Sequence, residues 1–303
     1  MPSSKSAVHM LADKSLHVLV TGATGHQGGA VLRHLKARGH RLRALVRDKN
    51  TPGAKALQGL GVEVFQGSFE EGKSVEQASQ FIDAAFLMGT PFGGGPDAER
   101  KQGISAIDAF RAADVPYVLY SSVASAHQHT GIPHFDSKFA VEHHLRSSGV
   151  PFAIVAPVAF MENSISPFSL PSLRQGQLGF GLPADKTLQM VALDDLAGFD
   201  TFVIENPTRF RGQRVEIASD EVTGTQEVEA LSRAIGRPVR YQPIPVEAIR
   251  QRSEDQARMV EWMAGHGYSV DIERLRRDYP AIGWHRFAEW AAEQDWPRLL
   301  AAT

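Results

Sequence analysis

Residues 17–48, HVLVTGATGHQGGAVLRHLKARGHRLRALVRD, constrain the fold more than any other part of the chain. A short apolar run reads as a buried strand and ends in a turn holding Gly22, Gly25 and Gly28 in G-x-x-G-x-x-G spacing. A helical apolar stripe follows at Ala30, Val31, Leu32 and Leu35, with Gly39 where a C-cap glycine belongs, and a second strand runs over 41–47. Each glycine has its own reason to be there. Gly22 permits positive φ, Gly25 lets backbone approach a pyrophosphate without a Cβ in the way, and Gly28 lets the helix pack closely on the strand. The helix N-terminus adds unpaired N–H groups and the positive end of the helix dipole, which suits phosphate. Thr24, His26 and Gln27 lie between the glycines and are candidates to line the same cradle.

The alternation of strand and helix continues through VEVFQG, DAAFLMG, PYVLYSS and VPFAIVAP, with helical segments near 73–80, 98–114 and 134–149. Strands this continuously apolar are buried on both faces, as in a parallel sheet covered by helices. Right-handed crossovers then predict an α/β fold, a doubly wound parallel Rossmann sheet with a smaller α/β C-terminal substrate-side domain. The expected division is a flexible tail or tag over 1–15, a dinucleotide-binding domain over 16–157 and a smaller region over 158–303, with the chain crossing back in places. In that second region a helix carries Asp194 and Asp195 in its first turn, where acids favour the dipole. The tail over 245–296 is expected to be helical, with Trp284, Trp290 and Trp296 packing against the sheet domain.

Composition removes several classes of function. There is no cysteine, so disulfides, thiolate nucleophiles and zinc–thiolate sites are excluded. A net charge of −2 offers no field for nucleic acid or an anionic membrane. No apolar run is long enough to span a bilayer, and the Ser-rich N-terminus lacks the apolar core of a secretory signal. A cytoplasmic protein, monomeric or dimeric, is the expectation.

Arg47 ends the second strand, about twenty residues past the last glycine, where an acid would bind the ribose 2′-hydroxyl of NAD and an Arg the 2′-phosphate of NADP. A guanidinium fork fits phosphate, which makes NADP the expected cofactor. Arg43 and Lys49 are expected to add positive potential there, and Asp48 would favour NAD if it faced the ribose instead.

The stretches VTGATGHQGGAVLRHL, YVLYSSVAS, HFDSKFAVEHHLRSSGVPFAIVAPVAFMEN and SVDIERLRRDYPAIGWHRFAEW resemble the NmrA-like family of atypical short-chain dehydrogenase/reductases. The likeness covers most of the chain after residue 16 and is most marked for the redox-sensor branch. It implies NADP(H) binding in the Rossmann domain and a cleft shaped by the C-terminal part. Some such proteins are regulators that bind a partner protein; others are reductases of quinones, dyes or phenylpropanoids. Related dehydrogenases use a Ser and a Tyr-x-x-x-Lys motif, with Tyr as acid/base, Lys on the nicotinamide ribose and Ser on the substrate carbonyl. Here the resemblance places Ser122, His134 and Lys138 in those roles, with His in place of Tyr. Spaced four apart on a helix, His134 and Lys138 share a face. Two readings stay open: His134 donates a proton, or chemistry is lost and Lys138 only holds cofactor. The likeness favours a redox-sensing regulator with little or no turnover; the alternative is an NADPH-dependent reductase of a quinone or conjugated carbonyl. Gly89 and Thr90, after the fourth strand, and Asn163, after the sixth, complete the expected cofactor contacts, whereas Ser68 stands where many relatives have an acid for adenine.

Other constellations are weaker. His127 and His129 have metal-ligand spacing but sit in a Gly- and Pro-bearing loop without a matching carboxylate, so no metal is expected. The G-x-S-x-G elbow of hydrolases is absent.

Overall fold

The computed structural model describes residues 15–301. Apart from Ser15, the expected N-terminal tail lies outside the described residues. The first half of the chain runs β1 (His17–Thr21), α1 (His26–Ala37), β2 (Arg41–Val46), α2 (Pro52–Gly59), β3 (Glu63–Gln66), α3 (Gly72–Ala78), β4 (Ala84–Met88), α4 (Gly95–Ala112), β5 (Val118–Ser121), α5 (Pro133–Ser147) and β6 (Phe152–Pro157). The second half runs β7 (Ala159–Phe160), α6 (Leu170–Arg174), β8 (Gln177–Phe180), β9 (Thr187–Val191), α7 (Leu193–Glu205), α8 (Pro207–Phe210), β10 (Arg214–Ile217), β11 (Asp220–Thr223), α9 (Gly224–Ile235), β12 (Arg240–Pro243) and the helices α10 (Val246–Arg250), α11 (Glu254–Gly265), α12 (Ile272–Asp278), α13 (Phe287–Ala292) and α14 (Trp296–Leu300).

Seven strands form one sheet in the order β10-β6-β5-β4-β1-β2-β3. The pairings from β3 across to β5 are parallel, and the order reverses at β1. That reversal is the switch point at which doubly wound sheets bind ligands. The apolar runs that predicted β1 and β4 are buried along almost their whole length. Helices α3, α4 and α5 pack on the sheet through Val75, Ile107, Phe110, Val141 and Leu145 against Leu19, Leu87 and Ile154. Each such side chain taken from water stabilises the fold by roughly 1.5–3 kcal/mol.

The chain divides into two compact units, and they interleave in sequence rather than meeting at residue 157. Among the described residues, one contains 15–121 with 140–154 and 197–214; the other contains 122–139, 155–196 and 215–301. α7 and β10 each contribute residues to both units. In the second unit β11, β9 and β7 form a three-stranded sheet and β12 pairs with β8. Its cores are built by α9, α13 and α14 and, separately, by α11 with Phe135. The expected placement of the tryptophans needs correction. Trp290 and Trp296 pack with Leu231 and Leu173 inside the second unit, and Trp262, also in the tail, lies against Phe135.

Candidate functional site

In the first unit, β1 ends at Thr21 and Gly22 takes φ +64°, the left-handed conformation that glycine supplies without strain. Gly25 is the N-cap of α1, and its N–H donates to the Gly22 carbonyl at 2.9 Å. The first intrahelical bond runs from Gly29 to Gly25 at 3.0 Å, which leaves the amides of His26, Gln27 and Gly28 at the open N-terminus. Gly28 has no room for a side chain: a Cβ there would lie 2.4 Å from the Gly22 oxygen and 2.6 Å from the Thr21 oxygen. Thr24 and His26 are exposed along the turn. Gln27 is not: its side chain is buried and donates to Ser121 Oγ at 2.6 Å, tying the turn to the end of β5. Its candidate contribution to a ligand is therefore its backbone amide rather than its carboxamide.

The β1–β2 register pairs Thr21 with Leu45 and so sets Arg47 beside the turn. Arg47 is exposed and has no bonding partner among the described residues. Asp48 is occupied, with Oδ1 accepting the Asn50 amide at 2.8 Å. Arg43 departs from expectation. It is mid-strand, donates to the Ala78 and Gln80 carbonyls at 2.6 and 2.8 Å and pairs with Glu63, so its charge serves the end of α3 and not the turn. Gly89 and Thr90 follow β4, whose last residue, Met88, lies against Gly22. Ser68 closes a local turn by accepting the Glu70 amide at 3.2 Å.

The second unit holds Ser122, His134, Lys138 and Asn163, so the candidate residues fall into two sets that are described separately. Ser122 is buried, and its amide donates to the Val155 carbonyl at 2.8 Å. His134 and Lys138 are one turn apart at the start of α5. His134 Nδ1 lies 2.6 Å from Asp255 Oδ2, and the His134 amide donates to Asp255 Oδ1 at 2.9 Å. Burial pushes the Asp255 carboxyl upward, but the ring and amide contacts of His134 prevail and hold it below the usual carboxylate range.

Exposed Asn163 lies in a 3₁₀ turn whose flanking residues anchor it. Glu162 accepts the Leu193 amide and the Trp290 indole N–H, each at 3.1 Å, and burial raises its carboxyl above the ordinary value. Ser164 donates to Glu227 at 2.7 Å, and burial pushes Glu227 up to about 7.

Sequence reasoning missed Asp255, Glu227 and the cluster around Asp195. It treated Asp195 as a helix N-terminal acid. Asp195 does lie in the first turn of α7, and its buried carboxylate also accepts Ser219 Oγ at 2.5 Å and the His285 amide at 2.8 Å, and meets His285 Nδ1 at 2.5 Å. Each of these links joins distant parts of the chain, so no local motif marks it. Among the described residues no group of three His, Asp or Glu could hold a metal ion.

The strand order and the glycine turn at its switch point define a Rossmann-type dinucleotide-binding fold. The chain belongs to the NmrA-like family, whose model matches residues 14–291. It is 30% identical over 235 residues to the (4-alkanoyl-5-oxo-2,5-dihydrofuran-3-yl)methyl phosphate reductase of Streptomyces griseus, covering 77% of this chain and 79% of that protein. It is 26% identical over 254 residues to the nitrogen metabolite repression protein nmrA of Emericella nidulans, covering 79% of this chain and 71% of that one. The fold matches the triphenylmethane reductase of Citrobacter sp., solved with NADP(H), with a TM-score of 0.77 at 20% identity over 92% of this chain and 99% of that one.

Proposed function

We propose that this protein binds NADP(H) and works as a redox-sensing regulator with little or no turnover. The observation that carries this reading is a complete phosphate cradle combined with a changed proton site. The glycine turn, the open amides of α1 and the unpaired Arg47 supply what a phosphorylated dinucleotide needs. The slot of the catalytic Tyr holds His134, already engaged by Asp255. Asp48, bound to the Asn50 amide, leaves the ribose end to Arg47, which favours NADP over NAD. Lys138 takes the role of holding the nicotinamide ribose, and the output is a partner protein.

A second reading, a reductase of a quinone or conjugated carbonyl, is favoured by one observation: the carboxylate on His134 Nδ1 is how an imidazole is held for proton transfer. NADPH absorbance followed against quinones, aldehydes and enones separates the two. The regulator reading expects confirmed NADPH binding without acceptor-dependent loss. Loss that disappears in Lys138→Ala would replace it with the reductase.

Cofactor choice has its own check. Arg47→Asp should weaken NADPH by about 10- to 150-fold, since a charge-assisted contact is worth about 1.5–3 kcal/mol, and should change NADH only a few-fold. Titration of both cofactors by fluorescence measures this, and equal losses would show that Arg47 does not read the 2′-phosphate.

A further inference from the structure

We infer that Asp255 is a positioning residue for His134: it fixes the Nδ1–H tautomer and makes Nε2 the nitrogen that exchanges a proton. Its use in chemistry rests on the reductase reading; the tautomer claim stands on geometry alone.

Both oxygens of one carboxylate are spent on one residue, Oδ2 on the ring at 2.6 Å and Oδ1 on the backbone amide at 2.9 Å. A carboxylate held on backbone and ring together cannot swing away from the ring without losing both contacts. Oδ2 lies off the ideal line of the ring N–H, so the ring contact is a close, bent polar contact rather than a straight hydrogen bond. The proton assignment follows all the same. An anionic oxygen at 2.6 Å from a nitrogen lone pair would be repelled, so the neutral ring carries its proton on Nδ1. Nδ1 is fully buried, whereas Nε2 has no bonding partner among the described residues and belongs to a side chain that is 16% exposed.

The carboxylate itself is supported. Ser253 caps α11 by accepting the Gln256 amide at 3.3 Å, which puts Asp255 in the first turn, where the helix dipole favours an anion. Phe135, adjacent to His134, stacks on Tyr268 at 6.5 Å and meets Trp262 at 6.2 Å, so apolar contacts seat α11 on α5 independently of Asp255.

The arrangement gives His134 a defined step. In a reduction the cofactor supplies hydride, and the oxygen of the acceptor then needs one proton. Imidazolium at His134 gives that proton from Nε2, reverts to the neutral Nδ1–H form that Asp255 holds, and is recharged from solvent. Position 134 thereby regains the acid that the loss of Tyr removed, by a two-residue device.

The test is ring ¹⁵N NMR of the full-length protein labelled at histidine, at a pH where His134 is neutral, with His134→Gln used to assign its signals. The wild type should show a single Nδ1–H form. Asp255→Asn should shift His134 toward the Nε2–H form, and Asp255→Glu should restore much of the Nδ1–H signature, a response that a merely structural role would not give. An Nε2–H form in the wild type, or an unchanged signature in Asp255→Asn, overturns the proposal. Where the acceptor panel finds turnover, Asp255→Asn should lower kcat at least about 10-fold with little change in KM, the pattern of an interaction made in the transition state. A panel without turnover would count against the reductase reading and would leave the tautomer result to decide the role of Asp255 by itself.

Discussion

Gly28→Ala should cost this protein both its cofactor site and a large part of its stability. The new Cβ would lie 2.4 and 2.5 Å from the Gly22 oxygen and carbonyl carbon, and 2.6 Å from the Thr21 oxygen. All three are backbone atoms, so no side chain can rotate aside. The turn must open or α1 must move off β1, and overpacking of this kind costs about 1–3 kcal/mol even where flexible side chains absorb it. The other two glycines are less constrained. A Cβ on Gly22 meets the flexible thioether of Met88 at 2.6 Å, though φ +64° adds strain, and one on Gly25 meets only the Gly22 oxygen at 3.3 Å. Thermal unfolding should therefore rank Gly28→Ala as far more damaging than Gly25→Ala, with NADPH affinity down at least about 100-fold, the scale of some 2.7 kcal/mol. Gly25→Ala should keep most of the stability and lose affinity, because it crowds the ligand and not the fold. If Gly28→Ala bound NADPH normally, the turn would not be the phosphate cradle.

The contrast between these glycines shows what could be read in the sequence. Strand–turn–helix order, the positive φ of Gly22 and the tight seat of Gly28 are local properties, and local spacing predicts them. β1, β4, β5 and β6 likewise appear within a residue or two of their apolar runs, because a strand buried on both faces has no polar face to blur it. What failed was non-local. Gln27 sits inside the glycine motif, yet its side chain is bound to Ser121, 94 residues away. Arg43 has the composition of a phosphate ligand, but its strand position turns it toward the carbonyls that end α3. His134 is visible as an altered Tyr slot, whereas its partner Asp255 lies 121 residues further on, in a helix whose sequence offers only an ordinary acidic first turn. A one-dimensional pattern names the elements and the ligand end of the sheet. It does not name the partners that decide what a polar side chain does.

Asp200→Ala should make the protein more stable, by about 1–3 kcal/mol at pH 8, the usual cost of a buried polar group left unsatisfied. Asp200 lies in α7, is completely buried, and neither carboxylate oxygen has a hydrogen-bond partner among the described residues. The hydroxyl of the adjacent Thr201 is also buried and unpartnered. Burial alone drives the Asp200 carboxyl well above its ordinary value, with no compensating charge. The sign of the pH dependence follows. In the unfolded chain the group loses its proton near 3.9, while in the fold it keeps it to higher pH. The unfolded state then binds fewer protons, so wild-type stability falls as pH rises from about 4 toward the folded-state value, by up to about 1.4 kcal/mol per pH unit from this group. The alanine variant lacks that loss. Its advantage should therefore be smallest at pH 4, where only the unpartnered neutral group costs stability, and grow toward pH 8, net of the small cavity left by the missing carboxyl. Urea unfolding of both proteins at several pH values measures this directly. A variant less stable than wild type at pH 8, or an advantage that does not grow with pH, would mean that Asp200 is satisfied in solution. The same experiment with Asp200→Asn isolates ionisation from burial: it should remove the pH slope and keep most of the cost, since an amide in that position is as unpartnered as the acid it replaces.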